Sequence, residues 1–74
     1  MQHRVTIRQY DAKCAAERRQ FPELVSFAVE APKNNSMARK AVEKAVAEKV
    51  GAGRSIRSIA HVVGGGFEAT VSAG

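Results

Sequence analysis

Ser36–Val50 runs SMARKAVEKAVAEKV and anchors the architecture. Ala38, Val42, Val46 and Val50 recur at every fourth position, with Ala41 and Ala45 beside them, so one apolar stripe runs along a helix. Arg39, Lys40, Glu43, Lys44, Glu48 and Lys49 fall off that stripe and belong to a solvated side. Arg39 with Glu43, and Lys44 with Glu48, are spaced to pair across one turn for about 0.2–0.5 kcal/mol each. The stripe is Ala and Val alone, a face slim enough for the helix to lie close to a sheet. Asn34-Asn35-Ser36 supplies capping side chains at its start, and Gly51 and Gly53 stop it, since glycine accepts the left-handed closing conformation. The same three residues also spell a glycosylation acceptor, but capping is the reading expected of a chain without a signal peptide.

Strands are expected on both sides of this helix. His3–Tyr10 alternates, with Val5 and Ile7 on one side and Arg4, Thr6 and Arg8 on the other. Basic side chains then project from one sheet face at intervals of about 7 Å. Glu23–Ala31 alternates again through Val25, Phe27, Val29 and Ala31, and Pro32 ends it. Beyond the helix, Ile59, His61 and Val63 share a face while Ile56 falls on the other, so a bulge is expected near Arg57-Ser58. Gly64-Gly65-Gly66 makes a turn, Phe67, Ala69 and Val71 alternate with Glu68, Thr70 and Ser72, and Ser72-Ala73-Gly74 is a short end. The stretch between the first two strands, Asp11–Pro22, is less decisive. Ala12, Ala15 and Ala16 with Glu17, Arg18 and Arg19 could form a helical turn, while Pro22 stops any helix and biases Phe21 toward extended geometry. A long, partly ordered connection with a basic tip is expected there, either functional or merely loose.

The pattern predicts strands over about 3–10, 24–31, 56–63 and 67–72 and a helix over about 36–50, in one α+β domain spanning 1–74. The economical packing is a ββαββ unit, a four-stranded, mostly antiparallel sheet with the helix on one face. Val5, Ile7, Val25, Phe27, Val29, Ile59, Val63, Phe67 and Val71 would meet Ala38, Val42, Ala45 and Val46. The opposite face would carry Arg4, Thr6, Arg8, Glu30 and Thr70, with Arg57 a further candidate, and stay open to solvent or a partner.

Seventy-four residues bear 12 Lys and Arg against 7 Asp and Glu, a formal charge of +5. A chain this short buries about 60% of its unfolded surface, so its core is thin and a deep, walled active site is not expected. Dimerisation, or docking on a larger partner, is a natural source of added stability. One cysteine, Cys14, rules out an internal disulfide; it is either a reactive thiol or, as expected, a small half-buried apolar residue. No apolar run approaches the ~20 residues of a membrane span, and Met1-Gln2-His3-Arg4 leads straight into the first strand, which predicts a cytoplasmic protein with no membrane partner.

Catalytic and metal signals are weak. His3, expected to be exposed beside Arg4, and His61, expected near a sheet edge, join Cys14 and Asp11 without metal-ligand spacing, so no metal is predicted. A Cys14–His61–Asp11 nucleophile set would need a pocket that a thin core does not provide. Gly51-Ala52-Gly53-Arg54 lacks the Lys-Ser/Thr ending of a phosphate-binding loop and follows a helix, and Gly64-Gly65-Gly66 lies in a turn; no nucleotide or other cofactor is predicted. The charge suits phosphate, but Phe27 and Phe67 are needed in the core, leaving Tyr10 and Phe21 to stack on bases. This argues against a single-strand RNA platform, and the element order fits neither double-stranded-RNA-binding domains nor three-helix major-groove readers. Sequence-independent phosphate contact remains, with Arg4, Arg8, Lys13, Arg18 and Arg19 as one candidate cluster and Lys40, Lys44, Arg54 and Arg57 as another. Each of these is weighed against the plain role of a solubilising charge.

Arg4-Val5-Thr6-Ile7-Arg8, Phe27-Ala28-Val29-Glu30-Ala31, the helix with Ala38, Ala41, Ala45 and Ala47, and the hairpin from Ile59 to Val71 together set a layout that covers most of the chain. It resembles small phage and mobile-element proteins, among them type I anti-CRISPR proteins. The resemblance implies inhibition by binding, in which the protein occupies or locks a nucleic-acid channel of the effector or redirects its DNA contacts. The net charge here is opposite in sign to that of the acidic, DNA-mimicking members. The leading expectation is a non-enzymatic basic module that docks on a CRISPR effector nucleoprotein, or another protein with an acidic or nucleic-acid-binding surface, and interferes with target DNA binding. The alternatives are a sequence-independent binder of double-stranded nucleic acid and a homodimer paired through an edge strand.

Overall fold

Alternation shapes the central strand β1, Gln2–Gln9, in which His3, Val5 and Ile7 are buried and Arg4 is exposed. The structure, a computed structural model, describes residues 1–51 and 53–72; Ala52, and the end expected at Ala73-Gly74, lie outside the described residues. The connection after β1 contains a short helix, α1, Ala12–Ala16. Asp11 caps it, its Oδ1 accepting from the N–H groups of Lys13 at 2.8 Å and Cys14 at 3.2 Å. Arg18, at φ +56, then turns the chain back. The segment expected to be partly ordered is thus a capped turn of helix, because one aspartate satisfies its first free amides.

Strand β2, Glu23–Glu30, pairs antiparallel with β1 from Gln2↔Glu30 to Arg8↔Glu23. The register shifts between Ile7 and Arg8 and leaves Leu24 without a partner. Helix α2, Asn35–Val50, follows; the Asn34 Oδ1 accepts from Ser36 N–H at 3.0 Å and Met37 N–H at 3.2 Å, and Gly51 closes it at φ +76. Strands β3, Ile56–His61, and β4, Phe67–Val71, form an antiparallel pair. The sheet order is β2-β1-β4-β3.

The sheet is α+β in setting and mixed in direction: two antiparallel pairs flank a parallel central pair, Val5↔Phe67 through Gln9↔Val71. The expectation of a mostly antiparallel sheet with one helix over one face holds, and the parallel seam is its refinement. The cause is the crossover. Helix α2 carries the chain from one edge strand to the other, and β2 and β3 run the same way, so β1 and β4 meet side by side in the middle. Fully buried Ala38, Val42 and Val46 of α2 share the core with equally buried Val5, Ile7, Ala69 and Val71. Each such Val or Ile contributes about 1.5–3 kcal/mol relative to exposure. Phe27, Val29, Ala41, Val50 and Ile56 pack at the margin.

Three expectations about side chains meet different outcomes. The bulge is present: Ile56↔Val71 is followed by Ser58↔Thr70, leaving Arg57 unpaired and returning Ile56 to the face of Ile59. Val63 is not in the core but 99% exposed. Strand β3 stops at His61, and the bonds Val62 N–H to Gly66 O (2.9 Å) and Gly65 N–H to Val62 O (3.0 Å) close a turn with Val63 at its tip. His3 is not exposed beside Arg4 but 7% accessible, with its Nε2 2.9 Å from the Pro32 carbonyl oxygen and its ring edge-on to Phe67. Period two places His3 on the face of Val5 and Ile7, opposite Arg4. Among the described residues, no helix is long and apolar enough to cross a membrane.

Candidate interface for an anionic partner

Arg4 and Arg8 project from the same uncovered sheet face, yet their surroundings differ. Arg8 donates from Nε to Glu68 Oε2 at 3.0 Å and from Nη1 to the Phe21 carbonyl at 2.7 Å, and its side chain is 16% exposed. It ties β1 to β4 and to the segment leading into β2, so its charge is consumed inside the fold. Arg4 is exposed, and among the described residues no carboxylate pairs with it.

The registers Arg8↔Glu23, Gln9↔Val71 and Ile56↔Val71 show that β1 and β4 finish where β2 and β3 begin. Lys13, Arg18 and Arg19 come to this end on and after α1, and Arg54 and Arg57 come to it just before and within β3. Here the Arg57 guanidinium lies 3.9 Å from the Tyr10 ring centroid, and Tyr10 is 5.3 Å from Phe21 at a 58° tilt. The two aromatics that could have stacked on bases are half-buried against each other and capped by a cation. Arg19 pairs with Glu17 at 2.8 Å, whereas Lys13, Arg18, Arg54 and Arg57 have no carboxylate partner among the described residues.

The second sequence cluster is divided. Lys40 and Lys44 are exposed on α2, away from its buried stripe, while Arg54 and Arg57 belong with Lys13, Arg18 and Arg19. Arg39 pairs with Glu43 at 3.5 Å, but no ion pair joins Lys44 to Glu48 among the described residues. Lys49 stands 5.3 Å over the Phe27 ring, covering an apolar margin with its stem. An open cleft of about 340 Å³ between α2 and β3 is lined by Arg39, Arg57 and Glu43, with Glu43 already paired to Arg39.

The chemistry-bearing residues lie apart. Asp11 is engaged in capping α1, and Cys14 is half-buried in that helix. His61 is exposed at the far end of edge strand β3, six residues long, or about 17 Å from its start. The Cys14–His61–Asp11 set is therefore not assembled. Among the described residues, no three His, Cys, Asp or Glu side chains gather as a metal-ligand set. At the same far end, the Met1 ammonium lies 2.7 Å from Glu30 Oε1 and the Gln2 amide 2.8 Å from Oε2, and this amine holds the Glu30 carboxyl below its ordinary range. Lys33, outside both sequence clusters, shares a pocket with Arg4 there, a neighbourhood that only the register creates.

No family model matches this chain, and neither a curated protein nor a solved structure is significantly similar to it.

Proposed function

We propose that this chain is a non-enzymatic binding module that docks its cationic end on an anionic macromolecular assembly in the cytoplasm. The partner in this reading is a CRISPR effector nucleoprotein, whose target DNA binding the module obstructs. The observation that carries the reading is the gathering of Lys13, Arg18, Arg54 and Arg57 at one end of the sheet, with no carboxylate partner among the described residues, on a chain of net charge +5. Unneutralised surface cations raise the encounter rate with an anionic partner and discriminate against cationic ones. The effector as partner rests on the resemblance of the ββαββ layout to type I anti-CRISPR proteins.

Affinity capture on purified effector complexes, with an interference assay beside it, tests this. Reversing Arg18 and Arg54 to Glu should weaken capture at least tenfold, while reversing Lys40 and Lys44 should leave it within about twofold. A stable complex that neither pair affects would relocate the interface; no complex, with interference unimpaired, ends the inhibitor reading.

A second reading, direct contact with double-stranded nucleic acid, is favoured by one observation: Tyr10 and Phe21 are occupied with each other and with Arg57, which leaves phosphate contact and not base stacking. It requires affinity to fall with salt at a log–log slope of about 0.9 per phosphate contacted, and it fails if no duplex is bound at about 50 mM salt.

A further inference from the structure

The two edges of the sheet are finished differently. Edge strand β3 is six residues long, and its bulge at Arg57 interrupts the run that a second chain would have to follow. Edge strand β2 is eight residues long, and Leu24–Val29 carries no charge. Its irregularity, at Leu24, lies near its start, and from Val25 to Glu30 the register is unbroken. The Ala31 N–H donates to the Met1 carbonyl at 3.0 Å, and antiparallel bonding alternates from there. Val25, Phe27 and Val29 therefore spend their backbone groups on β1, while Ser26, Ala28 and Glu30 turn theirs outward, where no strand pairs with them among the described residues. The side chains leave the same flank open. Val25, Phe27 and Val29 lie opposite buried Ile7, Val5 and His3 on the helix-covered face, yet Val25 is 37% exposed and Phe27 and Val29 are half-buried. A long, uncharged edge with an apolar row beside it is a template for another strand.

We infer that the β2 edge is a homodimer interface, in which β2 pairs antiparallel with β2 of a second copy about a twofold axis at Phe27. Pro22 and Pro32 have no N–H and bound the stretch that can pair, and Phe27 is its midpoint. In that register Ser26 and Ala28 exchange both backbone bonds with Ala28 and Ser26 of the copy. Phe27 then faces Phe27, and Val25 faces Val29, in the closer, non-hydrogen-bonded pairs. The open apolar row is covered by its own twin. Charge favours a copy over an unrelated strand. Glu23 and Lys33 have no ion-pair partner among the described residues, and they stand at opposite ends of this stretch. The twofold axis brings each Lys33 to the end where the Glu23 of the copy stands. Glu30 adds no free charge to the seam, because the Met1 amine and the Gln2 amide engage its oxygens. The dimer joins two four-stranded sheets into one and sets the two cationic ends about 25 Å apart along the strand direction. The inference goes beyond the proposed docking, which needs only one copy, so either can fail alone.

Sedimentation equilibrium of the full chain from about 1 to 500 μM is the test, and a mass that rises from monomer to dimer with concentration is expected. Ala28→Pro removes an outward N–H that the monomer does not use, and Val25→Lys sets a charge into the apolar row at an exposed position. Each should weaken association about tenfold or more, while Ala60→Lys, exposed on β3, should change it less than about twofold. Circular dichroism confirms that each variant is folded; should Ala28→Pro not fold, Val25→Lys decides. Glu23→Lys and Lys33→Glu should each weaken the dimer about threefold, and the double variant should return to within about twofold of the parent. In a dimer of mixed isotope labelling, a nuclear Overhauser effect between the Val25 Hα of one copy and the Val29 Hα of the other fixes the register. A chain that stays monomeric at every concentration would hand this edge to a strand of a different protein and overturn the assignment. A dimer insensitive to Val25→Lys, or a double charge variant no tighter than the single ones, would overturn it as well.

Discussion

Replacing Arg8 with methionine should unfold this protein more readily while leaving its surface cations in place. Methionine preserves most of the apolar stem that Arg8 buries on the sheet. Two interactions are lost. The Nη1 bond to the Phe21 carbonyl, at 2.7 Å on a side chain only 16% exposed, is charge-assisted and worth about 1.5–3 kcal/mol. The ion pair with Glu68, at 3.0 Å but on a carboxylate 36% exposed, is screened by solvent and adds about 0.5–1 kcal/mol. The sum is about 2–4 kcal/mol. A domain of this size has about 4–11 kcal/mol in total, so Tm should fall by about 10–30 °C. Urea unfolding followed by circular dichroism measures the change, with Arg4→Met as the control expected to stay within about 0.5 kcal/mol. Glu68→Gln divides the total, since it keeps the Phe21 contact and should cost no more than about 1 kcal/mol. An Arg8→Met protein within 1 kcal/mol of the parent, or equal losses from Arg4→Met and Arg8→Met, would refute the assignment of Arg8 to the scaffold.

Other perturbations probe the same account. Gly66→Ala places a Cβ 2.7 Å from the Arg4 carbonyl oxygen at φ +87 and should cost about 2–3 kcal/mol, whereas Gly64→Ala, which meets nothing within 4 Å, should cost about 1 kcal/mol for its left-handed backbone alone; equal denaturation midpoints would contradict this. Val42→Ala, at a fully buried position in the middle of α2, should lower stability by about 2 kcal/mol in the same assay, and a loss below 0.5 kcal/mol would mean that α2 is not seated on the sheet as described. The Met1 ammonium lowers the pKa of Glu30, so the stabilisation from this pair is complete above the ordinary carboxylate pKa and is lost as pH falls through the lowered folded value. Acetylating the Met1 amine should shift the NMR titration of the Glu30 carboxyl back toward the ordinary range, and an unmoved titration would remove the amine as the cause.

Much of the fold is legible because secondary structure answers to local period. The 3.6-residue stripe of Ala38, Val42 and Val46 and the period-two runs through Val5 and Ile7 are properties of neighbouring residues. Even the bulge at Arg57 shows as a phase break between Ile56 and Ile59. His3 was legible too, since it shares the period of Val5; reading it by its polarity hid this, and burial became tolerable through the Pro32 carbonyl contact. Val63 fits the alternation of its strand, but the turn bonds of Val62 end that strand first.

The candidate site was legible as charge and not as arrangement. From sequence, Arg4 and Arg8 are equivalent members of one cationic face. Glu68, sixty residues away from Arg8, makes one of them scaffold and leaves the other free. Arg54 and Arg57 join Lys13, Arg18 and Arg19, and leave Lys40 and Lys44, because α2 spans the sheet and returns the chain to the end where α1 sits. Residue type and near-neighbour period are enough to specify the elements, the buried stripe and the surplus of positive charge. The parallel seam between β1 and β4, and with it which cations are neutralised and which stand together, arises in the folded chain alone. Pairing between residues far apart in the chain depends on register and crossover, and no local pattern encodes these.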